Sequence, residues 1–113
     1  LPPPHVSLQH RANGSMPAAQ LRLSIGPEVV YSDFDLGPSF KIYAFTVVLV
    51  RNNEVIFTRR HEDPDKRGIG FDAATLNEMG SIRIGDLLWI KDIAAFGAGA
   101  DYTDLNDNEI YAN

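Results

Sequence analysis

The sequence contains no cysteine among its 113 residues. Disulfides, thiolate nucleophiles and cysteine-ligated zinc are therefore excluded. It also lacks an apolar run of the about 18 residues that a membrane-spanning helix needs. Basic side chains are scarce, since ten Lys and Arg stand against fifteen Asp and Glu. A nucleic-acid surface needs a basic stripe, so the charge predicts no nucleic-acid partner.

The composition that remains is typical of one globular domain. Hydrophobic residues make up 44% of the chain and charged residues 22%, which excludes a disordered segment. The charge is uneven, because residues 58–113 carry eleven acidic side chains and six basic ones, and no basic residue follows Asp92. An acidic end of this kind indicates a solvated tail or, alternatively, a contact with a basic partner.

Proline marks the first boundary of the chain. Leu1–Pro4 reads LPPP, which is typical of a stiff, extended linker. Residues 1–13 are therefore predicted to be a linker-like lead-in with a first short strand, and residues 14–113 a single β domain. The start at Leu1 rather than Met predicts a fragment or a processed form.

Two short helices are predicted inside this domain. Ser15 is a suitable N-cap for the first, which spans about two turns and directs Leu21 and Ile25 toward the core. Asp72 is a suitable N-cap for the second.

Two long strands are the strongest pattern in the sequence. Residues 39–50 lead through Asn52 and Asn53, which tolerate positive φ, into a partner strand at residues 54–60. The second long strand is predicted at 87–95, with one face formed by Leu87, Trp89, Ile93 and Ala95. Trp89 lies mid-strand among apolar residues, which predicts a core position for it. The predicted fold is mainly β: an antiparallel, Ig-like β-sandwich with two short helices.

The first long strand has apolar residues on both faces. One face is formed by Tyr43, Phe45, Val47 and Leu49. Either two layers enclose this strand in one core, or one face meets another domain or subunit. These four residues are therefore interface candidates, and burial in the core is the alternative.

Two groups of acidic or amide residues, one of two residues and one of three, suggest cation ligands at first sight. Asp33 and Asp35 point the same way in an extended chain, but an ion needs more oxygen ligands, and turn chemistry before a strand accounts for both. Asp104, Asn106 and Asn108 have the spacing of a calcium loop. Glu109 replaces the glycine that the loop requires, so no metal site is predicted.

Residues for catalysis are not assembled by any motif. His5, His10 and His61 lack metal-ligand spacing, and no serine lies in a G-x-S-x-G elbow. The sequence therefore predicts a protein without enzyme activity and without a cofactor.

The order of features resembles one known family. Asp33-Phe34-Asp35 precedes the strand FKIYAFTV at residues 40–47, and IRIGDLLWIKDIAA at residues 82–95 contains Gly85-Asp86. This order is similar to that of the C-terminal domain of GldM/PorM proteins, which serve gliding motility and type IX secretion. The resemblance covers roughly residues 14–100.

The resemblance implies a role in the bacterial envelope. Members of that family are dimeric, membrane-anchored proteins whose periplasmic β domains end in this one. It implies a periplasmic, non-enzymatic scaffold domain that binds envelope proteins of a secretion or gliding machine and that forms a homodimer. It further implies that Asp33, Phe34, Asp35, Gly85 and Asp86 are structural residues. The alternative function is a small β module that binds carbohydrate or calcium.

Overall fold

A computed structural model describes residues 4–30 and 40–113 of the chain. In chain order the elements are β1 (His5–Ser7), β2 (Asn13–Met16), α1 (Ala18–Leu21), β3 (Glu28–Val30), β4 (Lys41–Arg51), β5 (Glu54–Glu62), α2 (Ala73–Met79), β6 (Leu87–Gly97), β7 (Ala100–Tyr102) and β8 (Asn108–Ala112). The predicted class, mainly β with two short helices, is confirmed. Asp33, Phe34 and Asp35 lie outside the described residues.

Within the described residues, six strands form one large sheet, in the order β2-β8-β6-β4-β5, with β7 paired to the C-terminal end of β6. The pairs are antiparallel except β2 and β8, which run parallel. Strands β1 and β3 form a separate antiparallel pair. None of the helices in the described residues is long and apolar enough to cross a membrane.

The core lies on one face of the large sheet. Val47 of β4 and Ile90 of β6 are fully buried there with Val6 of β1, Leu21 of α1 and Met79 of α2. The small sheet and the helices thus cover one face of the large sheet, which gives a β-sandwich-like arrangement.

The hairpin between β4 and β5 forms as predicted. Asn52 and Asn53 have φ of 52° and 62°. Positive φ at both central residues is the requirement of the two-residue turn that matches strand twist.

Helix α2 also begins as predicted, and α1 does not. The Asp72 side chain accepts a hydrogen bond from Thr75 N at 2.9 Å, which is an N-cap. Helix α1, however, is a single turn, and Ser15 belongs to β2 rather than to a cap. Leu21 faces the core as expected, whereas Ile25 is 75% exposed, so the prediction for Ile25 was wrong.

A bulge in β6 reverses the faces predicted for its second half. Thr46 lies opposite Lys91, while Ala44 lies opposite Ala94, so β6 has one residue more than β4 between these pairs. Asp92 has φ of 50° at this point, a conformation that accommodates the extra residue. Ile93 therefore enters the core with Leu88 and Ile90, not with Trp89 as predicted.

A second bulge displaces Tyr43. Ile42 lies opposite Ala95 and Ala44 opposite Ala94, so Tyr43 is the extra residue on β4. The residues on either side of the bulge, Ile42 and Phe45, both lie in the core, whereas Tyr43 itself is only half-buried.

Candidate interaction surface

The predicted interface residues divide between the two faces of the sheet. Phe45 and Val47 are 0% exposed and Leu49 is 1% exposed. These three side chains pack in the core of the single chain, so core burial, the alternative kept open by the sequence, accounts for them. Tyr43 lies on the other side because of the bulge and lines a surface pocket.

The opposite face of the large sheet carries a contiguous apolar surface. Register places neighbouring strands side by side, with Val48 opposite Trp89 and Val50 opposite Leu87. On the next strand, Tyr111 lies opposite Leu87. We call this surface the open face: Val48, Val50, Leu87, Trp89 and Tyr111.

The open face remains accessible in the described part of the chain. Tyr111 is 53% exposed, and Val50, Leu87 and Trp89 are half-buried. Only Val48, at 6% exposed, is fully enclosed by its neighbours. A face on which residues from three adjacent strands stay apolar and accessible is typical of a binding surface.

Polar contacts hold Trp89 in place at the edge of the open face. Its indole N–H donates to Asp107 Oδ2 at 2.9 Å. Lys91 Nζ lies 4.6 Å from the centroid of the indole ring, within range of a cation–π interaction. Glu109 lies opposite Trp89 on β8. An apolar centre with a charged rim is the usual composition of a protein–protein interface.

A pocket of about 280 Å³ lies at the other end of the same face. Tyr43, Arg60, Glu62 and Lys66 contribute to its lining. Lys66 Nζ is 2.5 Å from Asp101 Oδ2 and 5.1 Å from the centroid of the Tyr43 ring. The aromatic ring beside paired charges is compatible with a small polar ligand.

Charged side chains at this pocket are paired with one another, as Lys66 is with Asp101. The hydrogen bond from Lys66, and then the one from Tyr43, hold the pKa of Asp101 below its usual range. The same Asp101 contact raises the pKa of Lys66. Burial, followed by the hydrogen bond to Asp101, raises the pKa of Tyr43. The pocket therefore presents balanced charges rather than a strongly anionic or cationic site.

His61, Thr75 and Asp72 form a cluster that superficially resembles a catalytic triad, and His61 is its titratable buried residue. It is 2% exposed, with Nε2 at 3.0 Å from Thr75 Oγ1 and at 3.5 Å from Asp72 Oδ1. Both contacts use the same ring nitrogen, whereas a hydroxyl–histidine–carboxylate triad needs the carboxylate on the other. Among residues 4–30 and 40–113, no hydrogen-bond partner contacts Nδ1, and Thr75 is 0% exposed. The His61 ring and the Thr75 hydroxyl are therefore not accessible to a substrate.

Burial sets the properties of His61. Its ring stacks on Phe45, with centroids 4.6 Å apart and planes at 13°. Burial lowers the pKa of His61, and the Asp72 carboxylate opposes this effect. The ring therefore remains neutral to a lower pH than an exposed histidine.

Gly85 and Asp86 occupy a structural junction. Gly85 has φ of 96°, which favours glycine. Its N–H donates to the carbonyl of Ala112 at 2.8 Å, and Ala112 N donates to Asp86 O at 2.9 Å. The two residues thus hold the last strand beside the start of β6.

The amides of the calcium-like loop hold strand β1. Asn106 Oδ1 accepts a hydrogen bond from Val6 N, and its Nδ2 donates to Val6 O, both at 2.8 Å. Asn108 Nδ2 donates to the same carbonyl at 3.0 Å. Within the described residues, no three acidic or histidine side chains cluster as they would around a metal ion.

No protein-family model matches this chain, and no curated protein matches it. The resemblance to the GldM/PorM C-terminal domain therefore rests on the residues quoted from the sequence.

Trp89 is the functional candidate that the sequence misplaced. Its apolar neighbours predicted a core position, but register and exposure put it on the open face. The sequence around Asp92 contains no glycine or other residue that marks a bulge. The face on which Trp89 lies is therefore known only from the pairing of β6 with β4.

Proposed function

We propose that this chain is a non-enzymatic interaction domain that binds a protein partner through the open face. The observation that carries the proposal is the accessible apolar surface formed by Val50, Leu87, Trp89 and Tyr111 on three adjacent strands. Burying such a surface against a partner is favourable because it removes apolar area from water.

The side chains of the open face suit a binding role. Aromatic residues give most of the energy of many interfaces, and Tyr111 is 53% exposed. Trp89 is fixed by Asp107 and Lys91, so little side-chain freedom is lost when a partner binds.

The identity of the partner follows from the resemblance. A domain similar to the terminal periplasmic domain of GldM/PorM proteins would bind envelope proteins of a secretion or gliding machine in the periplasm. A second copy of this chain is the other protein partner that the resemblance implies. Analytical ultracentrifugation of the isolated chain would detect a homodimer as a species of twice the mass.

Site-specific crosslinking tests the proposal. A photoreactive phenylalanine analogue is placed at Tyr111, and a control is placed at Asp65, an exposed loop residue away from the open face. In the native envelope, we expect a specific crosslinked protein from position 111 and none from position 65.

Introducing a positive charge on the open face completes this test. We expect Tyr111→Lys to weaken binding to the crosslinked protein by about tenfold or more, since it removes an aromatic anchor. Glu54→Lys, at the far edge of the sheet, should leave binding unchanged. Equal binding by the two variants would contradict a role for the open face.

A carbohydrate ligand is the second candidate, and the pocket beside Tyr43 favours it. Aromatic and hydrogen-bonding side chains surround about 280 Å³ there. We expect a saccharide that binds in this pocket to raise the melting temperature of the chain. The rise should disappear in Tyr43→Ala and persist in Tyr111→Lys; the opposite pattern would reject the pocket.

A further inference from the structure

A second apolar surface lies on the helical side of the fold. Leu23 and Ile25 follow α1, Leu76 lies on α2, and Ile84 precedes β6. They are 78%, 75%, 43% and 76% exposed respectively. We call these four residues the aliphatic patch. Since α1 and α2 cover the core face of the large sheet, the patch lies away from the open face.

Hydrogen bonds bring the segments of the aliphatic patch together. Phe71 N, just before α2, donates to Ile25 O at 2.8 Å. Arg22 Nε donates to Ile82 O, just after α2, at 2.9 Å. The segment after α1 therefore runs along α2, from its C-terminal end to its N-terminal end.

The exposed side chains are held outward by buried neighbours. Leu21, Ser24 and Ile82 are at most 2% exposed and anchor the two segments. Leu23 lies between Leu21 and Ser24 in the chain, Ile84 lies two residues after Ile82, and both side chains are exposed to solvent. Because the anchors fix the backbone, the exposed side chains cannot withdraw into the core.

Close backbone packing adds to this rigidity. A Cβ on Gly26 would be 3.1 Å from Gly70 Cα, and one on Gly70 would be 2.8 Å from Ile25 O. The two glycines permit this approach, and larger residues would separate the segments. The patch is thus built into the fold.

Basic residues accompany the aliphatic patch in an acidic protein. Arg22 and Arg83 are exposed, and neither is in an ion pair within the described residues. Residues 18–27 and 73–85 carry these two arginines and one glutamate, and the flanking carboxylates Asp72 and Asp86 are paired with Arg59 and Arg51. This side is therefore close to neutral and less acidic than the chain as a whole, which has net charge −5.

This combination fits a lipid surface. The side chains of Leu23, Ile25 and Ile84 are each at least 75% exposed, and such isolated side chains form no groove for a peptide. They can instead enter the boundary between lipid headgroups and acyl chains. Arginines beside them contact anionic headgroups. Peripheral membrane binding relies on this pairing of apolar insertion and basic charge.

We propose that the aliphatic patch binds an anionic lipid bilayer, with Leu23, Ile25 and Ile84 inserted and with Arg22 and Arg83 at the headgroups. The interaction is weak and reversible, because few side chains insert, and it weakens with salt because of screening. It is independent of the open face, which remains free for a partner on the other side of the domain.

Vesicle sedimentation tests the proposal with the whole chain. We expect the protein to pellet with vesicles of phosphatidylcholine and phosphatidylglycerol, and not with phosphatidylcholine alone. The double variant Leu23→Ser, Ile84→Ser should bind at least about tenfold more weakly, because two inserted side chains are lost. Val55→Ser is the matched control, since Val55 is an exposed aliphatic residue, at 61%, on strand β5.

Fluorescence identifies the surface that contacts the lipid. The chain has one tryptophan, Trp89, and it reports on the open face. With anionic vesicles we expect unchanged emission from the wild-type chain and a blue shift in Leu23→Trp. No sedimentation with anionic vesicles would overturn the proposal, and so would binding that Leu23→Ser, Ile84→Ser leaves intact. A blue shift from Trp89 itself would also overturn it, because the open face would then be the lipid contact.

Discussion

Asp86 and Arg51 join the ends of the two central strands through a two-pronged ion pair. Arg51 Nε donates to Asp86 Oδ1 at 2.9 Å, and Arg51 Nη2 donates to Oδ2 at 2.8 Å. The backbone N–H of Arg83 also donates to Oδ2 at 2.9 Å. The hydrogen bond from Arg51 is the main cause that holds the pKa of Asp86 below its usual range.

Removing the charge of Asp86 should destabilise the fold. Its side chain is 2% exposed, and that of Arg51 is 24% exposed, so Asp86→Asn leaves a partly buried guanidinium without its partner. We expect a loss of about 2–3 kcal/mol in the free energy of unfolding, measured by urea denaturation. Asp65→Asn, whose pair with Arg67 is exposed, should change stability by less than about 0.5 kcal/mol; similar losses in both variants would contradict the role of the junction.

Stability should depend on pH through His61. Its pKa in the folded chain is lowered, with burial as the main cause, so the unfolded chain binds the proton more readily. This contribution is complete above the unfolded pKa of about 6.5 and is lost as the pH falls toward the folded pKa.

Replacing His61 should remove this dependence. Phenylalanine keeps the stacking on Phe45 and cannot be protonated. Urea denaturation between about pH 7 and pH 5 should show a decline in the wild-type chain and a smaller one in His61→Phe. An equal decline in the two proteins would assign the pH dependence to other groups.

Gly97 should not tolerate a side chain. A Cβ there would lie 2.9 Å from Phe40 Cα, so Gly97→Ala forces backbone and ring apart. We expect a loss of about 1–3 kcal/mol in a thermal or urea melt. Gly80→Ala is the control, because its Cβ would have ordinary contacts of 3.5 Å and longer; equal effects at both positions would argue against steric crowding.

Charge substitutions on β4 distinguish its two faces. Leu49 is 1% exposed, so Leu49→Lys buries an unpaired charge, and we expect the chain to lose its cooperative unfolding transition. Tyr43 is half-buried beside the pocket, and Tyr43→Lys should remain folded. Circular dichroism and light scattering decide between the outcomes; a folded Leu49→Lys chain with altered association would restore Leu49 as an interface residue.

The turn at Asn52 and Asn53 can be improved. Asn53 has φ of 62°, which glycine adopts without steric cost. Since Asn-Gly is the preferred pair for this turn, we expect Asn53→Gly to leave stability equal or higher. Asn53→Val should lower the melting temperature, and the reverse order of the two variants would contradict the assigned turn.

Local sequence was sufficient for the features that depend on a few adjacent residues. The turn at Asn52 and Asn53, the cap at Asp72 and the two long strands formed as predicted, although the alternation of the two strands breaks at their bulges. Each depends on φ preference, a short-range hydrogen bond or hydrophobic alternation, all of which are encoded within a short stretch.

Long-range pairing decided the features that the sequence misplaced. Met16 pairs with Ala112 in the parallel contact of β2 and β8, so the chain near Ser15 extends as a strand, and only one turn of α1 remains. The candidate calcium ligand Asn106 holds Val6, a residue far from it in sequence.

By itself, the sequence determined a mainly β chain with a secure hairpin and a capped second helix. Only the tertiary structure decided which apolar residues are core and which form the open face. In β4 and β6 the bulges at Tyr43 and Asp92 contribute to that decision, because one extra residue reverses the faces of the side chains beyond it relative to those before it. Their positions depend on the pairing of β4 with β6, two strands whose residues are distant in the chain, so no local pattern reveals them.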